Sequence, residues 1–131
     1  MKIKLKYLEL LRQELNGLSD QNTGKIFYKG LLFQDIHFKQ KYHLTKLSKE
    51  IESEFESFKE SQKELFKKHF GDEQPVDSIE FRQREEFKNF EKEIIDFLEE
   101  EVNFSDYEFS IEDFDFKSTE SYPVFTDLFV K

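Results

Sequence analysis

The chain has no cysteine and no tryptophan, and only one methionine, two prolines and four glycines among 131 residues. Lack of cysteine excludes a disulfide framework, a thiolate nucleophile and Cys-type zinc sites. The glycines, Gly17, Gly24, Gly30 and Gly71, match neither a dinucleotide-binding G-x-G-x-x-G nor a phosphate loop, and no Gly-x-Ser-x-Gly elbow is present. Histidine is scarce as well. His37, His43 and His69 form no His-Glu-x-x-His, and His37 and His43, six residues apart, fall on different faces of a helix. No apolar run approaches the roughly 20 residues that span a bilayer. The basic opening Met-Lys-Ile-Lys-Leu-Lys is not followed by the apolar core of a signal peptide. These absences lead us to expect no metal, no cofactor and no membrane partner, and a soluble product made in the cytoplasm.

What is abundant is charge and phenylalanine. Charged residues make up 37% of the chain and apolar residues 37%, with 17 Phe. The balance implies a thin core or an elongated single domain, filled by large rings. The same rings could equally furnish a partner surface. Net charge is −9, unevenly spread. Residues 1–70 hold 14 Lys/Arg against 10 Asp/Glu, and residues 71–131 hold 6 against 19. Such polarity suits head-to-tail association or a basic partner; a solvated acidic surface is the plainer alternative.

Leu44, Ile51, Phe58 and Leu65 stand seven residues apart, flanked by Leu47, Phe55 and Phe66. That interval predicts one apolar face on a long helix over 36–70, free of Gly and Pro and closed by Gly71. Before it, Leu5, Leu8, Leu11 and Leu15 predict an N-terminal helix over 3–16 that stops at Asn16-Gly17. The alternation Ile3, Leu5, Tyr7 also permits a short strand there. Residues 19–34 read as an extended loop or small hairpin. A linker over 71–80 follows the long helix, with Asp77 or Ser78 as a cap. A helix over 81–101 then presents Phe87, Phe90, Ile94, Phe97 and Leu98 as the partner of the long one. Beyond it, 102–131 alternates apolar and acidic residues as an extended segment, with one short helix after Pro123. The expected fold is mainly α: a long antiparallel helical hairpin, coiled-coil-like in its seam, with an N-terminal helix and a minor extended or β C-terminal segment.

No constellation points to catalysis. Glu50, Glu52, Glu54 and Glu56 spread around a helix rather than converge, and a helix pair offers little concavity for acid–base work. The expectation is therefore a protein that is no enzyme. Lys39, Lys41, Lys46 and Lys49 would support nucleic-acid binding only as a local patch, and a helix face of alternating charge explains them more simply, so direct nucleic-acid binding is not expected. Residues 99–116 carry eight Asp/Glu, no Lys or Arg and several Phe. The expected partner-binding residues are Asp106, Tyr107, Glu108, Phe109, Glu112, Asp113, Phe114, Asp115 and Phe116. An acidic surface of this kind could also imitate DNA phosphates.

Several stretches carry a resemblance. They are the Leu-rich opening after Met-Lys-Ile-Lys-Leu, Lys41-Tyr-His-Leu-Thr-Lys-Leu-Ser-Lys49, Gln62-Lys-Glu-Leu-Phe-Lys-Lys-His-Phe-Gly71, Glu99-Glu-Glu-Val-Asn-Phe104 and Thr119-Glu-Ser-Tyr-Pro-Val-Phe125. In these the chain resembles small proteins of tailed bacteriophages and prophages, Bacteroidetes phages among them. The family has no assigned catalytic residues, so none is carried over. The resemblance implies a phage-encoded structural or assembly protein, partnered by other virion proteins or by itself, in the host cytoplasm or incorporated in the virion. The alternative is an acidic DNA mimic that inhibits a host nucleic-acid-binding enzyme.

Overall fold

The computed structural model describes residues 1–110, 112 and 122–130. The chain is mainly helical, with one long helix and a small amount of strand. In order, the elements are β1 (Lys2–Lys4), α1 (Leu8–Asn16), β2 (Gly17–Ser19), β3 (Ile26–Lys29), α2 (Phe38–Phe70), α3 (Ile79–Gln83), α4 (Glu85–Leu98), β4 (Glu101–Asn103) and α5 (Pro123–Phe129).

The opening residues are strand before they are helix. β1 pairs antiparallel with β4, Ile3 opposite Val102. The ladder is lengthened by Leu5 N–H donating to Glu100 C=O (2.9 Å) and Phe104 N–H to Met1 C=O (2.7 Å). Ile3 and Leu5 are buried on that register, so the local alternation prevails over helical spacing and α1 starts only at Leu8. A 3-10 turn, Leu5–Tyr7, joins the two. Leu8, Leu11 and Leu15 then form the buried stripe of α1. Gly17 ends the helix at φ 81°, its N–H on Gln13 C=O. A Cβ on Gly17 would strike the backbone of Tyr28 and Gly30, so the turn into β2 requires glycine. Of the two forms expected for 19–34, extended loop or small hairpin, the chain takes the hairpin, β2 antiparallel to β3 with an irregularity between Leu18 and Ser19.

α2 is capped by His37, whose Nδ1 accepts the Lys39 N–H at 3.3 Å. It ends at Gly71, φ 62°, whose N–H bonds Lys67 C=O at 2.7 Å. Its apolar face has two different covers. Leu44, Leu47, Ile51 and Phe55 are buried in one cluster with Leu8, Leu11 and Leu15 of α1, Leu31, Phe104, Phe109, and Phe125 and Phe129 of α5. Phe58, Leu65 and Phe66 are only half-buried. There Phe58 stacks on Phe97 (5.6 Å) and Phe66 meets Phe90 edge-on (5.4 Å). The expected partner, the helix over 81–101, therefore covers only the second half of the stripe. α4 itself has no buried residue.

That second helix also differs in its bounds. Ser78 caps α3, its Oγ accepting the Phe81 N–H at 3.1 Å. Arg84 then leaves the helix for one residue (ψ 145°) before α4 begins. The interruption has a cause in tertiary contacts. The Arg84 guanidinium makes two bonds to the Glu73 carboxylate (3.0 and 3.1 Å) and lies 5.4 Å from the Phe70 and Phe81 ring centres. At the C-terminal side, the expected short helix after Pro123 is α5, with proline at its first turn. A parallel bridge between Phe109 and Val130 sits beside it.

The unequal covering of α2 has a measurable consequence. Leu47→Ala, in the buried half, should lower unfolding free energy by about 2–5 kcal/mol. Leu65→Ala, in the half-buried part, should cost clearly less, on the order of 1 kcal/mol. Urea unfolding followed by circular dichroism distinguishes them; equal losses would contradict the two-cover description.

Candidate protein-interaction site

The acidic stretch expected to bind a partner is drawn partly into the fold. Phe109 is buried at 1% exposure. Its N–H donates to Phe129 C=O at 2.8 Å, and its ring lies 5.4 Å from Phe125 and 6.5 Å from Tyr107. Phe109 is therefore a core residue and presents no ring to a partner. Tyr107 is half-buried. Burial, reinforced by the nearby Glu50 carboxylate, pushes its hydroxyl up to about 12. Glu50 also accepts the Ser105 hydroxyl at 2.6 Å. Asp106 is exposed, and the Met1 amino group donates to it at 3.0 Å. Glu108 and Glu112 are exposed. Asp113, Phe114, Asp115 and Phe116 lie outside the described residues.

The histidines stay apart from one another in role. His37 caps α2, while His69 packs edge-on to Phe90 at 6.2 Å and sits 3.4 Å from Glu93. Among the described residues no group of three or more His, Asp or Glu is placed to hold a metal ion. No helix among them is long and apolar enough to cross a membrane.

One carboxylate is buried, and the spacing of α1 did not distinguish it. Glu14, 7% exposed, accepts the Phe125 N–H at 2.9 Å and the Val124 N–H at 3.1 Å. These are first-turn amides of α5, so a side chain from α1 caps a helix more than a hundred residues away. Tyr122 fastens the same joint: its hydroxyl donates to Lys29 C=O (2.7 Å) and accepts from Gln34 (2.8 Å). Burial raises the Glu14 carboxyl above the ordinary range, against the pull of the two amides. Burial, with Glu14 and Tyr122 adding to it, raises the Tyr28 hydroxyl too. Its two bonds to α5 make it a latch between the first helix and the last.

A second feature, a concavity, lies at the far end of α2. A groove of about 480 Å³ runs between α2, α3 and α4, floored by Phe66, Phe81, Phe87 and Phe90 and walled by Pro75 and Val76. The floor is a mutually packed set: Phe70 stacks on Phe66 (4.5 Å) and on Phe81 (4.9 Å), and Phe81 meets Phe87 edge-on (5.8 Å). Val76 and Ile79 beside it are exposed. Lys59, Lys63 and Arg82 stand on its lip. The arrangement offers apolar area with a charged border and no converging acid and base. This is the anatomy of a contact surface. Its rings were legible as a helix stripe, and nothing in their spacing told that the stripe would stay half-open.

No family model, no curated protein and no solved structure matches this chain.

Removing the latch tests its role. Glu14→Ala leaves two amides without an acceptor and should destabilise the fold by about 1–3 kcal/mol. The pH dependence has a definite sign. A carboxyl raised in the folded state stabilises the fold below its unfolded value and loses that contribution as pH rises through the folded one. The stability of wild type relative to Glu14→Gln should therefore fall as pH rises from 4.5 upward. Denaturation midpoints of the two proteins across pH 4–8 read it directly, and an opposite slope would show that the amides hold the carboxylate more strongly than burial opposes it.

Proposed function

We propose that this chain is a phage-encoded structural or assembly protein that works through protein contacts and performs no catalysis. The carrying observation is the aromatic groove at the end of α2: packed rings, Phe81 buried and Phe66, Phe87 and Phe90 half-buried, bordered by charge and adjoined by exposed Val76 and Ile79. Apolar side chains gathered in this way at one place on a surface mark contact sites. The phage origin rests on the sequence resemblance. It implies a protein of the host cytoplasm or of the virion.

In this reading α2 and α4 act as an antiparallel hairpin. Phe58 meets Phe97 and Phe66 meets Phe90, so contacts run in opposite senses along the two helices. The hairpin is a rigid arm: the main core anchors its base, and its tip carries the groove. The competing reading, an acidic decoy for a DNA-binding enzyme, draws less support, since Asp106 is engaged by the Met1 amino group and Phe109 is in the core.

The test is composition and substitution. Mass spectrometry of purified particles should find the protein. Val76→Asp and Ile79→Asp replace exposed side chains and should leave the circular dichroism unchanged, yet lower incorporation at least about tenfold. Absence from particles together with early expression and co-purification with a host enzyme would favour the decoy.

A further inference from the structure

We propose that the outward face of α2 from Phe38 to Lys49, with Phe33 just before it, binds single-stranded nucleic acid. This surface is separate from the aromatic groove at the far end of α2, and the inference does not depend on that groove.

Two independent observations meet here. The first is where the rings are. Among the described residues the exposed phenylalanines and tyrosines are Phe27, Phe33, Phe38 and Tyr42. All four fall within sixteen residues of sequence, while every other described Phe or Tyr is buried or half-buried. The second is charge. The chain as a whole is acidic, yet between residues 21 and 49 six lysines face the single acid Asp35. The alternation that would make these lysines an ordinary solvated face is absent: α2 carries no acid before Glu50. The first two acids that follow are turned to other partners. Glu50 accepts the Ser105 hydroxyl at 2.6 Å and Glu52 accepts Arg12 at 2.7 Å.

Helix geometry puts rings and cations together. Phe38, Lys39, Tyr42, Lys46 and Lys49 fall within an arc of about 100°. All five are exposed. Leu44, Leu47 and Ile51 leave the helix on the other side, into the core. Lys46 Nζ lies 5.5 Å from the Tyr42 ring centre, so an ammonium group is within reach of the phosphate beside a base stacked there. The His37 ring lies 5.1 Å from Phe38, tilted by 30°, and widens the platform. Phe33 lines a shallow groove with Tyr28 and Lys29 of β3. The same strand carries Phe27, with Lys25 Nζ 5.6 Å from its ring centre.

The occupant follows from this pairing of groups. A single strand brings one negative charge and one flat ring with every nucleotide, and exposed aromatics among lysines meet both. A duplex keeps its base faces stacked and offers the rings nothing. An acidic protein would satisfy the lysines, but it would cover the rings only by bringing an apolar face shaped to them.

Fluorescence anisotropy with a labelled oligo(dT) of about 20 nucleotides tests this on the whole chain. Binding should be steeply salt-dependent: with four phosphates neutralised, affinity should fall about fiftyfold between about 50 and 200 mM salt. Oligo(U) should bind about as well, since rings and ammonium groups read neither sugar. Lys39→Glu with Lys46→Glu should weaken binding at least about tenfold. Phe38→Ala with Tyr42→Ala should also weaken it at least about tenfold, but leave the salt slope unchanged. Lys88→Glu with Lys92→Glu makes the same change of charge on α4 and should have little effect. All six side chains are exposed, so circular dichroism should stay that of wild type. No binding at low salt would overturn the proposal. So would equal losses from the two lysine reversals, an abasic strand or a duplex bound as tightly as oligo(dT), or polyglutamate bound in preference to it.

Discussion

The structure depends on one mismatch: α2 carries more apolar face than the described residues bury. A 33-residue helix is about 50 Å long, and the other described elements supply a full layer over half of it. α1, α5 and the residues around Phe104 and Phe109 close over Leu44 to Phe55. Beyond that point, among the described residues, α3 and α4 lie against it, and α4 buries none of its own residues. The long helix thus has an anchored half and a half-dressed one. The anchored half fixes the fold. In the other half Phe58, Leu65 and Phe66 stay half-buried, while Phe70 at the very end packs against Phe81.

The latch formed by Glu14 shows how the anchored half is closed. α5 is a seven-residue helix, far too short to persist by itself. It exists because Phe125 and Phe129 enter the core and because Glu14 takes its first amides. A carboxylate in that position is costly to bury, and the two amides offset part of that cost. The same residues join the beginning and end of the chain, as β1 and β4 do on the other side of α1.

Much of this was legible in the residues. The seven-residue interval from Leu44 to Phe58 marked the long helix, Gly17 and Gly71 marked the ends of α1 and α2, and Pro123 marked α5. Periodicity reports that a face is apolar but not which element meets it, so α4 was read as the partner for a stripe that α1 shares. The β1–β4 pairing joins residues about a hundred apart, and no local pattern encodes it. The break at Arg84 has no glycine or proline to announce it, because it is made by Glu73 and two rings. At the acidic stretch, alternation was real but its meaning was incomplete: Tyr107 and Phe109 face inward, and Glu108 between them faces out. Glu14 looked like any other helix glutamate, since the amides that donate to it belong to α5, more than a hundred residues on.

Charge shows the same division of labour. Toward the tip, the cations Lys63, Lys68, Arg82 and Arg84 each meet a carboxylate. Near the N-terminus, Lys4 and Lys6 share Glu99, and Arg12 holds Glu52. Exposed pairs of this sort contribute little to stability, so their presence mainly lowers the local field. Other lysines have no ion-pair partner among the described residues, Lys59, Lys67, Lys88 and Lys92 as well as those from Lys25 to Lys46. What sets the Lys25 to Lys46 group apart is its neighbours, the largest concentration of exposed rings in the described structure. Lys25 and Lys46 lie over two of those rings, Phe27 and Tyr42, so the cations partly shield apolar surface that the core leaves out.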